Sequence, residues 1–450
     1  MADNPQKVTV PKRILRTLLS ALTAGVVPRS GAPYIAIGRR AESAALLDSL
    51  DAAGEGGASV RFLIGRYGSG KSFLLQLLRG YALDRDFLAA DADLSPERRL
   101  SGGSGGGLAT YRELMRNLAS RAAPDGGALP VVLSRYYARL AGELAAEGIF
   151  PESDGFFPEM KKRIYATLSA LEGGVGGFEL ARVLGAYYEA EAEGQEERKS
   201  ACLRWLRGEF SNKTEARAAL GFPVGSVIDD SNWYDYIKLI AVLSRLLGYR
   251  GLLVLVDECV NLYKIPNRIA REANYEKILS IFNDTIGGRA EGLFVVFGGT
   301  VQFLEDTRRG LFSYEALRSR LADSRVTAGG YTAMTSPVIR LRRLSDNELL
   351  ALINRLASLY AELYSLAPLA PELCEEFLRA ALSRAGAEEM VTPREIIRDF
   401  LTILDILREN PGATFAGLLS EILPKKPAGS GDPPPAAGGA PGGFLFDLSL

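Results

Sequence analysis

The sequence predicts an α/β protein in three layers, with a parallel sheet, a long helical insertion and a C-terminal helical domain. Three observations indicate this fold. Continuous apolar runs at residues 60–64, 252–256 and 293–297 are typical of parallel strands that are buried on both faces. Helical periods alternate with these runs along the chain. After residue 345 only helical patterns remain, which predicts a separate helical domain behind the sheet.

The first elements extend from an N-terminal helix to the second strand. Apolar residues at helical spacing predict a helix at 13–24, and a second helical pattern covers 42–50. The run 60–64 is the first predicted strand and 87–94 the second. Residues 101–107, with the sequence SGGSGGG, are predicted to form a flexible loop, because ordering glycines costs more backbone entropy than ordering other residues.

A helical insertion is predicted at about residues 105–250, between the second and third strands. Its helices are expected at 111–119, 131–146, 160–171, 178–192 and 234–247. The remaining strands are expected at 252–256, 293–297 and 338–341. The helices of the C-terminal domain are expected at 346–361, 371–385 and 394–408.

These elements divide the chain into four predicted parts. An N-terminal helical segment covers 1–30, the sheet domain 31–335 and the C-terminal helical domain 336–423. The tail, 424–450, is rich in Pro and Gly and is predicted to be disordered, although it ends in the apolar sequence FLFDLSL. That end has the composition of a segment that docks on another protein or on its own domain.

Composition excludes several classes of function. The chain has 450 residues, no histidine, and only three cysteines that lie far apart, so neither a disulfide framework nor a Cys/His zinc site is expected. Histidine-dependent nucleophilic catalysis is excluded for the same reason. The formal net charge of −1 is not that of a globally cationic nucleic-acid binder. No apolar run is long enough to cross a membrane, and we expect a cytoplasmic protein.

Residues 65–72 form a phosphate-binding pattern between an apolar strand and a helix. The residues are Gly65, Arg66, Tyr67, Gly68, Ser69, Gly70, Lys71 and Ser72, followed by Phe73. They match G-x-x-x-x-G-K-[ST], in which glycines let backbone N–H groups face a phosphate chain at a helix N-terminus. Lys71 would neutralise the β- and γ-phosphates of ATP, and Ser72 would ligate Mg²⁺. The alternative is a Gly-rich turn with a surface lysine.

A second acidic motif follows the apolar run 252–256. Asp257 is the predicted partner of Mg²⁺, and Glu258 the predicted general base that polarises the attacking water. In the alternative interpretation the two acids merely begin a loop after a core strand. The acid pair favours hydrolysis over binding alone.

Four further segments resemble the AAA+ class of P-loop ATPases, particularly its origin-recognition and STAND branches. Residues 37–42, with Gly38 and Arg39, resemble the segment that packs near the adenine. Thr300, after the apolar run 293–299, resembles the sensor-1 residue, and Arg394 in the 392–394 segment resembles the sensor-2 arginine. Arg318 and Arg320 lie where the arginine finger of this class acts on a neighbouring subunit. A solvated helix face explains these last two arginines equally well.

More closely, residues 10–410 resemble the ATP-binding proteins of bacterial BREX phage-defence loci, the BrxD family. The resemblance rests on residues 24–28 (AGVVP), 37–42 (IGRRAE), 65–72 (GRYGSGKS) and 92–100 (ADLSPERRL). It implies an ATPase that remodels or loads a DNA-associated complex together with locus-encoded helicase or methyltransferase partners, and that assembles with copies of itself on nucleotide binding. Direct contact with DNA stays open. The alternative function is a STAND-like nucleotide-gated switch with little turnover.

Two other features carry alternative interpretations. Asp93 ends the second strand and is either a residue that couples ligand binding to the general base or a plain strand-end acid. Paired aromatic residues in the insertion are Tyr136, Tyr137, Tyr187, Tyr188, Trp233 and Tyr234. Stacking on single-stranded bases is one role for them, but aromatic residues at helical spacing favour core packing.

Overall fold

The structure, a computed structural model, describes residues 10–102, 105–171, 173–323, 334–383 and 392–422. Its centre is a five-stranded sheet in the order β2-β3-β4-β1-β5, and every neighbouring pair is parallel. The strands are β1 (Ser59–Gly65), β2 (Leu88–Asp93), β3 (Leu252–Asp257), β4 (Leu293–Gly299) and β5 (Val338–Leu341). All residues of β3 and β4 are buried, which confirms the predicted α/β fold with a parallel sheet.

The helices fall into four groups along the chain. Before and beside the first strands lie α1 (Lys12–Thr23), α2 (Arg40–Gly54) and α3 (Lys71–Asp84). The insertion contains α4 (Gly106–Arg116), α5 (Leu129–Ala146), α6 (Phe156–Leu168), α7 (Gly177–Glu193), α8 (Glu196–Leu206), α9 (Lys213–Leu220) and α10 (Trp233–Leu246). Among the later strands lie α11 (Val260–Tyr263), α12 (Arg268–Ile286), α13 (Val301–Glu305) and α14 (Glu315–Leu321). The C-terminal helices are α15 (Asp346–Tyr364), α16 (Pro371–Leu382), α17 (Pro393–Glu409) and α18 (Phe415–Ile422).

The sheet is covered on both faces. Side chains of α2 and α3 pack on one face, against Leu63, Leu253 and Phe294. The other face, with Phe62 and Val254, packs against α10, α12 and the insertion in one continuous apolar cluster. This arrangement is the predicted three-layer sandwich.

The insertion is helical as predicted, and five of its six paired aromatic residues are interior, whereas Tyr137 is only partly buried. Tyr136, Tyr187, Tyr188, Trp233 and Tyr234 are at most 4% exposed and belong to the cluster that continues into the sheet. Core packing of these residues is therefore confirmed. Their stacking on nucleic-acid bases is not compatible with this burial.

The prediction that all of residues 101–107 form a loop is wrong at its C-terminal end. Gly106 and Gly107 are buried residues of the first turn of α4. The Asp230 carboxylate accepts the N–H of Gly107 at 2.6 Å, and a Cβ at this position would lie 2.5 Å from Trp233 Nε1. A neighbouring element thus requires glycine here and supplies the cap that orders it.

The helical domain, called the lid below, has an apolar core of its own. Helices α15 to α18 form it together with α1, which contributes Leu15, Leu18 and Leu19. The N-terminal helix therefore packs with the C-terminal domain rather than alone. The predicted tail, 424–450, lies outside the described residues. Within the described ranges, every helix is too short or too polar to span a bilayer.

Candidate functional site

The phosphate-binding pattern occupies the turn between β1 and α3. Gly68 and Gly70 have φ angles of 75° and 89°, in the left-handed region that strains other residues. Gly70 is the N-cap of α3, and no side chain caps this helix. The N–H groups of its first turn are therefore left for an anion, and the helix dipole favours negative charge at this end.

The turn is closely packed on its inner side. A Cβ at Gly65 would lie 2.3 Å from Ser69 Oγ, so the loop closes only around glycine. Ser69 Oγ is buried and has no hydrogen-bond partner among the described residues. Arg66 and Tyr67 point outward, and Tyr67 is 78% exposed.

Lys71 lies over the same turn. Its Nζ donates hydrogen bonds to the carbonyl oxygens of Gly65 at 3.1 Å and Arg66 at 3.0 Å. Burial lowers the pKa of the Lys71 ammonium, whereas the charges of Asp257 and Glu258 act in the opposite direction. Phosphate oxygens can replace these two carbonyl oxygens as hydrogen-bond acceptors of the Lys71 ammonium.

The two motifs meet directly across the sheet, although 185 residues separate them. Ser72 Oγ donates to Asp257 Oδ2 at 2.6 Å, and Asp257 Oδ1 accepts the N–H of Glu258 at 2.8 Å. Only β4 lies between the two strands that carry these motifs. A Cβ at Gly298 of β4 would lie 2.3 Å from Asp257 Oδ1, so glycine is what allows this approach.

Glu258 differs from Asp257 in being exposed. It has a φ of 55°, the left-handed conformation that is uncommon for a residue with a side chain. Next to this acid pair, Asp93 lies opposite Asp257 in the β2–β3 register. Partial burial, and then the charges of Asp257, Asp91 and Glu258, raise the pKa of Asp93 to about 6. Asp93, Asp257 and Glu258 therefore concentrate negative charge at this edge of the sheet, and a bound cation would reduce the repulsion between them.

Gly38 and Arg39 join the turn to the lid. Arg39 is 4% exposed, and its guanidinium donates to the carbonyl oxygens of Ser69 at 2.8 Å and Arg342 at 2.9 Å. Gly38 has a φ of 73°, and a Cβ there would lie 2.6 Å from Glu348 Oε1. The hydrogen bonds of Arg39 go to protein acceptors, so contact of these two residues with nucleotide stays a prediction.

The lid also touches the turn directly. A Cβ at Gly68 would lie 2.5 Å from Cγ2 of Thr392, the N-cap residue of α17. Arg394, two residues further on, is exposed and lies beside Gly25. The capping box of Thr392 and Glu395 is readable from the sequence, but its contact with Gly68 is not.

The sequence matches a known protein family. The family model described as BREX system ATP-binding protein BrxC/D covers residues 10–422. The chain belongs to this family. It is therefore an ATP-binding protein of the BREX phage-defence system, and the predicted family is confirmed. A search of curated proteins finds no match.

The site fits the ligand that this BREX family binds. The uncapped turn, the unpartnered Ser69 Oγ and the Lys71 ammonium suit a phosphate chain, and Phe73 in the first turn of α3 packs beside the lid core. Ser72 and Asp257 are oxygen donors of the kind that Mg²⁺ takes. An ion held by these two residues would complete its coordination with phosphate oxygens or water.

The remaining predicted residues of this BREX protein are Thr300, Arg318 and Arg320. Thr300 is the N-cap of α13, directly after β4, and its Oγ1 accepts the N–H of Phe303 at 3.2 Å. Its hydroxyl can still donate to another group. Arg318 and Arg320 are exposed on α14, and Arg320 donates to the carbonyl oxygen of Ala316 at 2.7 Å. Within the described residues, neither is bonded to the phosphate-binding turn.

Proposed function

We propose that this chain is a Mg²⁺-dependent ATPase of the AAA+ kind, which couples its nucleotide cycle to the remodelling or loading of a DNA-associated complex in BREX defence. The observation that carries the proposal is the 2.6 Å hydrogen bond between Ser72 and Asp257, with the exposed Glu258 directly after it. Binding alone does not require a second acid beside the metal-binding one, whereas hydrolysis requires a group that activates water.

Each residue of the site has a defined role in this proposal. Lys71 and the N–H groups of the α3 first turn bind the β- and γ-phosphates. Ser72 and Asp257 hold Mg²⁺, which neutralises the charge that develops on the phosphates. Glu258 accepts the proton of the attacking water, and Thr300 orients that water or the γ-phosphate.

The lid converts the chemical state of the nucleotide into motion. Arg394, near the Thr392–Gly68 contact, pairs with the phosphates when ATP is bound, and hydrolysis releases it. Arg318 or Arg320 of one protomer acts on the nucleotide of its neighbour in a homo-oligomer. Helicase- or methyltransferase-type proteins of the same defence locus are the proposed partners.

The test is ATP turnover by the purified chain and by Glu258→Gln, each with and without double-stranded and single-stranded DNA. We expect turnover in the parent chain that DNA increases, and a loss of about 10²-fold or more in Glu258→Gln with ATP still bound. The matched control is Glu152→Gln, an exposed glutamate in the insertion, which should leave turnover unchanged. Equal turnover in parent chain and Glu258→Gln would exclude Glu258 as the base.

The alternative is a nucleotide-gated switch in which turnover is incidental. The contact between Thr392 and Gly68 favours it, because the position of the lid then depends on the loop that holds the phosphates. Tight nucleotide retention, with slow turnover that neither DNA nor Glu258→Gln changes, would support the switch.

A further inference from the structure

The N-terminal part of the chain is unusual in its charge. Residues 10–41 contain six basic residues and no Asp or Glu, although the whole chain carries a net charge of −1. The six are Lys12, Arg13, Arg16, Arg29, Arg39 and Arg40. Such asymmetry concentrates positive potential in one region of an otherwise balanced protein.

Three of these residues form one exposed surface on α1. Lys12, Arg13 and Arg16 are exposed. The i to i+4 spacing places the Cβ atoms of Lys12 and Arg16 roughly 5–6 Å apart. We call these three residues the cationic face. The opposite side of α1 is buried in the lid core, with Leu15 and Leu18 at 0% exposure. The helix is therefore fixed in place, and only its polar side meets the solvent.

Within the described ranges, none of the three side chains of the cationic face forms a hydrogen bond or an ion pair. A second cluster of three cations, on α6, provides the contrast. Lys161, Lys162 and Arg163 are paired with Glu189, Glu159 and Glu147 respectively. The repulsion between the charges of the cationic face is thus uncompensated within the described protein.

The chemistry of this surface selects the class of partner. Insertion into a membrane would need the apolar side of α1, which is already covered by α15 and α17. Besides the three cations, the exposed residues of α1 are small and polar, Thr17 and Ser20, so the helix offers no aromatic anchor to a protein partner and no platform for stacking single-stranded bases. What remains is contact with a dense row of phosphates.

We propose that the cationic face binds the phosphate backbone of double-stranded DNA, independently of sequence. The inference rests on the proposed DNA-associated function and identifies the surface that holds the DNA. The position of the cationic face connects DNA binding to the lid. The C-terminal end of α1 continues to Gly25, which lies against Arg394 of α17, and Thr392 at the start of that helix touches Gly68. DNA held on α1 therefore rests on the lid, which touches the phosphate-binding turn through Thr392, and biases the movement of the lid.

The test is fluorescence-anisotropy binding of a mixed-sequence duplex to the full chain over a range of salt concentrations. The variant replaces Lys12, Arg13 and Arg16 by Gln, and the matched control replaces Lys161, Lys162 and Arg163 by Gln. We expect the first variant to weaken binding at least tenfold at low salt, and to reduce the slope of log K against log salt by about 3, or about 1 for each lost phosphate contact. The control should bind like the parent chain.

A second variant separates charge from folding. Lys12→Arg, Arg13→Lys and Arg16→Lys together keep every charge, and should keep the salt slope of the parent chain. The inference is overturned if the parent chain does not bind duplex, if the α1 and α6 variants weaken binding equally, or if the charge-keeping variant is folded but loses binding. Loss of binding to phosphatidylserine vesicles, with duplex binding unchanged, would also overturn it.

ATP turnover without DNA, measured on the same samples, distinguishes this inference from the proposed function. It should be equal in the parent chain and the α1 variant. Duplex binding through the cationic face in a chain without turnover would support the DNA surface and contradict the ATPase. Turnover without any duplex binding would support the ATPase and contradict the DNA surface.

Discussion

Arg39 illustrates how a residue near the site acts through protein contacts. Its buried guanidinium joins Ser69 of the phosphate-binding turn to Arg342 at the start of the lid, and pairs with Glu42 at 3.3 Å. Burial lowers the pKa of Arg39, with Glu42 opposing that effect. The carbonyl oxygens and the carboxylate around Arg39 would all lose a donor if the side chain were removed.

We therefore expect Arg39→Met to lower the free energy of unfolding by about 3–5 kcal/mol, because it leaves the buried Glu42 carboxylate without its partner. Adding Glu42→Gln should recover part of the loss, since the orphaned charge is then gone. Urea unfolding of both variants measures this. If Glu42→Gln destabilises Arg39→Met by as much as it destabilises the parent chain, the two residues do not act as a pair.

At this scale the sequence predicts some contacts and misses others for a physical reason. The meeting of Ser72 with Asp257 follows from their positions, because Asp257 ends β3 and Ser72 lies in the first turn of the helix that follows β1. The carboxyl ends of parallel strands share one edge of the sheet. The contact of Arg39 with Arg342, 303 residues away, depends on how the lid packs. No local pattern encodes that packing.

At the scale of elements, the strands and most long helices were predictable, whereas α8, α9, α12 and the first turn of α4 were not. The apolar runs of β3 and β4 are continuous, so their burial is readable from the sequence. Helix α8 begins with charged residues, EERK, and α9 has only eight residues, so neither shows a long apolar period. Helix α4 starts with two glycines, and its first turn is capped by Asp230, which lies just before α10.

This dependence makes α4 a test of tertiary capping. Asp230 accepts the N–H groups of Gly102 at 3.0 Å, Gly107 at 2.6 Å and Leu108 at 3.1 Å. Asp230→Ala should lower the free energy of unfolding by about 1–2 kcal/mol, and Asp230→Asn by less, because the amide oxygen can still accept. Thermal unfolding gives the values. The neighbouring Ser231→Ala is the control, and an equal loss there would argue against capping by Asp230.

At the scale of the whole molecule, the structure contains separate apolar cores. One joins the sheet to the insertion, and another joins α1 to the lid. The union of α1 with the lid is not readable from the sequence, because α1 is distant from the lid along the chain and its apolar stripe does not reveal which partner it meets. The phosphate-binding turn contacts the lid through Thr392.

Separate cores predict separate responses to cavity-forming changes. Leu18→Ala and Leu133→Ala remove side chains of equal size that are both 0% exposed, one in the lid core and one in the insertion. Each should cost about 2–5 kcal/mol in its own region. Amide hydrogen exchange should accelerate in α17 for Leu18→Ala but not in α5, and in α5 but not α17 for Leu133→Ala. Uniform acceleration throughout the chain in both variants would show that lid and insertion unfold as one unit, and would exclude a lid that moves against the sheet as nucleotide binds and leaves.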